Sequence, residues 1–268
     1  MLLPVKNSQE KSKSMRTCLS LLGLGLRRSI LSMPCFFSVL GVGMVMFFTS
    51  YNMATDTSDV LYLIDLGKTG NLPLILCIAP TIPFGLSFAS EWQERSLKFW
   101  LIRSGLKKYV WCKAAVCFIS GILVVFAGIL TYAIVLSTHY PFFLFISSGD
   151  AYTVLLESGK PLHFFLLSSF HYALSGGMFS VAALCVSGFV PTRFTSLAAP
   201  MVLYMVFLRV SMFFSLPLFL HPDYLTEVTY GIGTPLVTFF FKFFLIIAIC
   251  SLLGLILQIR VKRLVQNA

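Results

Sequence analysis

The sequence predicts an all-α polytopic membrane protein with six transmembrane helices and both termini in the cytoplasm. Apolar residues make up 57% of the 268 positions and charged residues only 11%, whereas about a quarter of the residues in soluble domains are charged. Apolar runs of about 20 residues, the length that a membrane-spanning helix needs, recur six times along the chain. The basic residues collect on one side of these runs, which predicts the orientation.

Residues 1–32 precede the first apolar run, and we expect them to form a cytoplasmic tail followed by an interfacial helix. Apolar residues recur in the second half of this stretch at intervals of three or four: Met15, Leu19, Leu22, Leu26 and Ile30. This spacing places them on one face of a basic amphipathic helix, which is typical of a helix lying in the membrane interface. An early start of the first span is the alternative, and it stays open.

We predict one transmembrane domain over residues 1–268, with a six-span bundle at 33–258 and a cytoplasmic tail at 259–268. The predicted spans are 33–53, 71–90, 114–138, 162–188, 195–220 and 235–258. Pro73, Pro80 and Pro83 in the second span predict a kinked or broken helix. Small residues four apart in the fourth span predict a stripe for close helix packing: Ser169, Ala173 and Gly177. The first and second spans are joined by a short acidic loop.

The basic residues give this topology its direction. Sixteen of the twenty Lys and Arg residues fall on the inner side, two (Lys68 and Lys160) fall outside, and two (Arg209 and Lys242) lie within spans. This bias predicts a multi-pass protein of a cytoplasmic membrane with both termini inside. The net charge of +10 therefore indicates topology and contact with lipid headgroups, and we expect no nucleic-acid partner.

The sequence predicts no catalytic site of its own. It contains no HExxH, no GxSxG and no paired carboxylates within a span. The four histidines show no ligand-like spacing, so we interpret them as packing or interfacial residues. The cysteines show no zinc or redox spacing either, and we expect reduced, buried thiols. We therefore expect no catalytic, cofactor-binding or metal-binding residues in this chain.

Two charged residues lie within predicted spans. Arg209 falls near the middle of the fifth span, where an arginine costs about 2.5–3.5 kcal/mol on insertion scales. It either lines a substrate path or subunit interface, or bonds to carbonyls freed by Pro200 or Pro217; both interpretations stay open. Lys242 is near enough to the end of its span to reach the headgroups.

A charged segment of unusual composition separates the second and third apolar runs, at residues 91–113. It contains six basic residues and two acidic ones, interleaved with tryptophan, phenylalanine and aliphatic side chains. A simple connection between spans needs only a few polar residues. Aromatic anchors combined with basic charge are typical of a docking surface for a soluble partner, although a basic loop bound to anionic lipid is the alternative.

This segment resembles the permease subunits of type-2 ABC exporters, of the short kind found in Gram-positive bacteria. That family has a carboxylate after the second span, then an aromatic residue, Gly, Ser or Thr, Leu-Lys, a basic cluster and a lysine. Matching residues here are Glu91, Trp92, Ser96, Leu97, Lys98, Lys107, Lys108 and Lys113, whereas Arg95 replaces the glycine. The stretches FTSLAAP at 194–200 and LHPDYL at 220–225 are similar to such permeases as well.

The resemblance implies a six-span subunit that pairs with a second copy or a related permease and binds two separate ABC ATPase subunits. ATP and Mg²⁺ would be bound by those partners, with lipid around the permease. The ATPase-coupling segment implied here comprises Glu91, Trp92, Arg95, Ser96, Leu97, Lys98, Phe99, Trp100 and Arg103. We expect Trp92, Leu97, Phe99 and Trp100 to be its apolar anchors. The expected cargo is an amphipathic or hydrophobic peptide, drug or lipid.

Two other classes of function remain open from the residues alone. One is a membrane protein that works without nucleotide, as a sensor partner or an assembly scaffold. The other is an intramembrane enzyme, which would need clustered polar residues at midplane depth, and only Arg209 is expected there.

Overall fold

The computed structural model describes residues 19–55, 57–69, 72–144, 149–214, 217, 221–226 and 231–266. Regular structure within these ranges is entirely helical, as the sequence predicts. Met15 and the polar residues before it lie outside the described part of the chain. The prediction for the tail therefore concerns residues that the structure does not describe.

The first two helices are separate segments. Helix α1 covers residues 19–30, and α2 covers Met33–Ser50 and continues into a 3₁₀ turn, Tyr51–Met53. Residues 31 and 32 separate the two helices. Ser32 is the N-cap of α2, because its side chain accepts a hydrogen bond from the Cys35 backbone N–H at 3.3 Å. Leu19 and Ile30 of the predicted apolar face are exposed, whereas Leu22 and Leu26 are half-buried.

The predicted acidic loop after the first span is wrong in part, because Val60–Thr69 forms a helix, α3. Asp59 caps it by accepting a hydrogen bond from the Tyr62 N–H at 2.7 Å. The apolar side chains of Val60, Leu61 and Ile64 are buried. The acidic residues suggested a loop. They are compatible with a helix, however, because an amphipathic helix needs apolar residues on only one of its sides.

The predicted second span is broken, as its prolines indicate. Helix α4, Leu72–Ile78, passes into a 3₁₀ turn, Ala79–Thr81, and then into turns before α5, Ser87–Gln93. The structure therefore accommodates Pro80 in the 3₁₀ turn and Pro83 in the turns that follow. Helices α3 and α4 are bent by 66° relative to each other.

The remaining elements are three long helices, three short ones and one of intermediate length. Their bounds are α6 Leu97–Ser104, α7 Leu106–Leu136, α8 Thr153–Glu157, α9 Pro161–Ser187, α10 Arg193–Phe213, α11 Pro222–Thr226 and α12 Pro235–Gln266. Helix α7 thus begins eight residues before the predicted third span and α12 ends eight residues after the predicted sixth. Helix α10 stops seven residues before the predicted end of the fifth. Hydropathy marks apolar runs, whereas a helix continues through charged residues until a cap or glycine ends it.

Five helices of the described chain are long and apolar enough to cross a membrane: α2, α7, α9, α10 and α12. The bent pair α3 and α4 raises the number to six if it counts as one broken span. The chain is therefore a multi-pass membrane protein.

We call the end of the bundle that carries α5, α6, the turn at 188–192 and the last residues of α12 the basic end. The opposite end, with α3, α8 and α11, is called the acidic end.

Helix α9 is the central element of the bundle. It packs against α7, α10 and α12 and against the broken α4 segment, and most of its residues are buried. Helices α7 and α9 approach closely where Gly121 faces Gly176 and Gly177, because a Cβ at Gly121 would lie 2.7 Å from the Gly176 carbonyl oxygen. Glycine at this crossing lets the two backbones meet.

Candidate functional site

The joint between α5 and α6 is a tight helix terminus built around Arg95. Its backbone has φ +57°, the left-handed conformation that glycine adopts most readily. The Ser96 N–H donates to the Glu91 carbonyl oxygen at 3.0 Å and the Arg95 N–H to the Trp92 carbonyl oxygen at 3.1 Å. This pair of bonds is the Schellman motif, which usually has glycine at the left-handed position. Arg95 stands where the family that the sequence resembles has glycine, and it adopts the left-handed conformation that glycine favours.

A buried polar triad connects this joint to the third apolar run. Lys113 Nζ lies 2.6 Å from Glu91 Oε2, and the Tyr109 hydroxyl donates to the same oxygen at 2.5 Å. Lys113 also donates to the Tyr109 oxygen at 2.8 Å. The side chains of Lys113 and Glu91 are only 5% and 12% exposed. The triad fixes the start of α7 against the end of α5.

Aromatic rings surround the ammonium group of this triad. Lys113 Nζ lies 4.8 Å from the centre of the Tyr109 ring, 5.8 Å from that of Phe88 and 6.0 Å from that of Phe84. A desolvated cation is attracted to the faces of such rings. The charge is therefore held by one carboxylate and by its aromatic surroundings, and removing the carboxylate leaves it uncompensated.

The inner face of α6 belongs to the core of the chain. Leu97 is buried in a cluster with Phe88, Tyr109 and Val110, and Trp100 packs against that cluster half-buried. The sequence predicted both residues as anchors for a partner. Leu97 cannot enter a groove on another protein without leaving this core, so the structure places it in a supporting position instead.

The outer face of α6 combines exposed apolar and basic side chains. Phe99 is 76% exposed and Ile102 is 85% exposed, and being three residues apart they lie on one side of the helix. Basic residues of α6 and of the chain directly before and after it are also exposed: Arg95, Lys98, Arg103, Lys107 and Lys108. We call Phe99, Ile102 and these five basic residues the outer face. Ile102 was missed as an anchor, although its spacing from Phe99 signals it.

The joint also contacts the turn between α9 and α10. Gln93 Nε2 donates to the Pro191 carbonyl oxygen at 3.3 Å, and Arg193 lies 3.9 Å from Glu94. The ion pair is exposed, so it adds little to stability. Trp92, which lies in α5, is 36% exposed. The joint is therefore connected to the start of α10 through this turn and to α7 through the triad.

A cavity of about 100 Å³ lies beside the triad. Leu21, Leu24 and Arg28 of α1 form one wall, and Trp100 and Lys113 belong to the other. Helix α1 approaches α7 closely, since a Cβ on Gly25 would lie 2.8 Å from Val116 Cγ2. The helix before the first span thus lies next to the predicted coupling segment.

Arg209 is close to one end of its helix rather than at midspan. Helix α10 ends at Phe213, four residues or about 6 Å further on, and the Arg209 side chain is exposed. The carbonyl freed by Pro200 belongs to Ser196, about 20 Å away along the helix, and Pro217 lies outside any helix. The proposed bonds to these carbonyls therefore do not fit, and the substrate path or subunit interface stays a prediction.

The expectation that Lys242 reaches the headgroups is wrong, because its side chain is fully buried. The predicted packing stripe lies inside the bundle: Ser169 and Ala173 are buried, and a Cβ on Gly177 would overlap Phe118 Cδ2, only 2.8 Å away. The described cysteines are free thiols, and within the described residues no three His, Cys, Asp or Glu side chains are grouped so that they could hold a metal ion.

Comparisons with known proteins give no family for this chain. No family model matches it, and neither a curated protein nor a solved structure is significantly similar to it.

Proposed function

We propose that this chain is the membrane-spanning permease subunit of an ATP-driven exporter of the type-2 ABC class. Two ATPase subunits would bind ATP and Mg²⁺, and a second copy of the chain or a related permease would complete the membrane part. The outer face of α6 would be the surface on which an ATPase rests. The permease itself would carry no catalytic group.

The observation that carries this proposal is the left-handed backbone at Arg95. The sequence resemblance rests on spacing, and the residue where it departs from the family is Arg in place of Gly. Since Arg95 nevertheless has φ +57°, the segment keeps the bend that a glycine would provide. The bend turns α6 so that Leu97 packs inward while Phe99 and Ile102 stay exposed.

The chemistry of the outer face supports a protein partner. Two large exposed apolar side chains and five exposed basic residues in one short stretch of the chain match a hydrophobic groove with an acidic rim. Exposed apolar residues next to basic ones suit a lipid surface too, which is the alternative interpretation. The triad and the contact with Pro191 favour a mechanical role, because they connect the joint before α6 to α7 and to the turn before α10.

The orientation proposed with this function places the basic end in the cytoplasm. Residues 72–93 would form the second of six passages, α1 would lie in the inner interface, and both termini would be cytoplasmic. The location would be a bacterial cytoplasmic membrane. Closure of the ATPase dimer would push α6 and change the access of a cavity between the two permeases. The cargo would be an amphipathic or hydrophobic peptide, drug or lipid.

Co-purification in mild detergent tests this function. We expect the full chain to retain an ATP-binding cassette protein and nucleotide hydrolysis, and the double variant Phe99→Asp/Ile102→Asp to lose both. These side chains are exposed, so their replacement leaves the fold of the chain intact. The matched control is Val265→Asp, which places a charge on a half-exposed apolar position in the last turn of α12.

One result would contradict the function, and two others would contradict the place of the outer face in it. A chain free of any ATPase would favour a nucleotide-independent scaffold or sensor partner. Unchanged ATPase binding by the double variant would remove the outer face of α6 from the interface. Equal loss in the Val265→Asp control would show that any charge at the basic end disturbs the complex.

A further inference from the structure

One face of α9 binds three separate segments at the acidic end. Ser168, His171 and Ser175 are spaced by three and four residues, so they lie on the same side of the helix. Each bonds to a different connection of the chain. Lys68 Nζ of α3 donates to Ser168 Oγ at 2.9 Å, and the other two bonds involve Tyr152, before α8, and Leu225, in α11.

The Tyr152 and Leu225 bonds are shorter than the first. The Tyr152 hydroxyl lies 2.6 Å from His171 Nδ1, and Ser175 Oγ donates to the Leu225 carbonyl oxygen at 2.5 Å. Burial raises the pKa of the Tyr152 hydroxyl above its usual range. The hydroxyl therefore keeps its proton and can pair with either tautomer of His171, donating to a bare Nδ1 or accepting from a protonated one.

These polar groups are shielded from water. Lys68, Tyr152, Ser168, His171 and Ser175 are all at most 1% exposed. A polar group that is buried without a partner destabilises the state it occupies. If any one segment left α9, a buried polar group would lose that bond, and replacing the bond would require water to enter. The three bonds therefore favour a common dry, closed arrangement.

Two of these segments, α3 and residues 149–157, are also connected to each other and to the connection after α7. The Leu144 N–H donates to Asp59 Oδ2 at 2.9 Å, and the Val60 N–H donates to the Pro141 carbonyl oxygen at 3.0 Å, which joins α3 to the connection after α7. Asp65 of α3 forms a side-chain hydrogen bond with Asp150, just before α8, and both carboxyl groups interact with Lys68. Lys68 also lies 5.1 Å from the centre of the Tyr172 ring.

We propose that α3, residues 149–157 and α11 form one cap over the acidic end, and that Ser168, His171 and Ser175 of α9 are the latch that holds it closed. The cap opens as a unit when the latch is broken. This inference does not depend on an ATPase partner. If the proposed transport function also holds, the cap lies where cargo would leave the bundle.

Hydrogen exchange of the full chain in nanodiscs tests the cap. The single variants Ser168→Ala, His171→Leu and Ser175→Ala each delete one bond to a different segment. We expect each variant to speed exchange of the α3, α8 and α11 amides together, by about tenfold. The control is Ser187→Ala, a buried serine at the other end of α9 that donates to the Leu184 carbonyl oxygen of its own helix, and it should leave the cap unchanged.

A rise confined to the segment whose bond was deleted would overturn the cap as a unit, and no rise in any of the three would overturn the latch. The serine variants remove one oxygen each, so they keep the test valid if His171→Leu fails to fold. Because exchange is measured on the chain alone, the result is independent of whether an ATPase binds it.

Discussion

The triad of Glu91, Tyr109 and Lys113 makes the most quantitative prediction. Glu91→Leu removes the carboxylate that accepts from Lys113 and Tyr109 at 2.6 and 2.5 Å and leaves an uncompensated ammonium with 5% exposure. Removing one partner of a buried ion pair costs about 3–5 kcal/mol. Replacing both charges, in Glu91→Leu/Lys113→Met, removes the buried charge as well, so we expect the double variant to be more stable than Glu91→Leu.

Fluorescence during denaturant unfolding in detergent measures this effect at the relevant place. The three tryptophans of the chain are Trp92, Trp100 and Trp111, and all belong to the segment around the triad. The unfolding midpoints of the wild type, the two single variants and the double variant give a coupling energy for the pair. We expect that coupling to be about 2 kcal/mol or more.

Additive effects of the two substitutions would refute the reasoning, since they would show that the charges do not stabilise each other. Tyr109→Phe is the control for the hydrogen bonds alone. It keeps the ring beside Lys113 and removes the hydroxyl, so we expect a loss of about 1–2 kcal/mol.

Two further predictions concern backbone geometry. Arg95→Gly should keep the unfolding free energy within about 1 kcal/mol of wild type, because relief of the left-handed conformation offsets the greater freedom of glycine in the unfolded chain. Arg95→Val should lower the unfolding free energy by a further amount of about 1–2 kcal/mol. Equal unfolding midpoints for these variants would contradict the claim that the Arg95 backbone is strained. Gly177→Val should lower the thermal midpoint of the detergent-solubilised chain markedly, because its side chain would overlap Phe118. Gly41→Ala, where nothing lies within 4 Å of a new Cβ, is its control and should have little effect.

The apolar runs predict the long helices because a helix that crosses lipid needs an apolar residue at most of its positions, and such a run is visible directly in the sequence. The runs at 162–188 and 235–258 correspond to α9 and to the first three quarters of α12. Their ends were less accurate where charges continue a helix. Lys107, Lys108 and Lys113 interrupt the hydropathy but are compatible with helix, so α7 begins at Leu106.

Pairings across the chain were beyond the sequence. Glu91 and Lys113 were both identified, yet nothing in the sequence says that they meet, because the intervening bend decides it. Lys68 looked like an external loop residue, whereas it lies buried against Ser168, one hundred positions away. The spacing of Tyr109 and Lys113, four apart on one helix, was the available signal for the triad.

The helix-forming residues of α6 were recognised, but which of its faces points outward was not. Leu97 and Phe99 are both apolar and two residues apart, so they lie on different sides of the helix. Only the packing of Leu97 on Tyr109 and Val110 shows that Phe99 is the exposed one. Composition predicts a docking segment, whereas the tertiary contacts decide which of its side chains are exposed.

Photocrosslinking from Ile102 in intact membranes is the most direct test of the central claim, that the outer face of α6 receives an ATPase. A benzophenone side chain at this position, 85% exposed in the chain, should form an adduct with an ATP-binding subunit, and bound nucleotide should change its yield. Adducts with lipid alone, in membranes from cells that express the neighbouring genes, would contradict the claim.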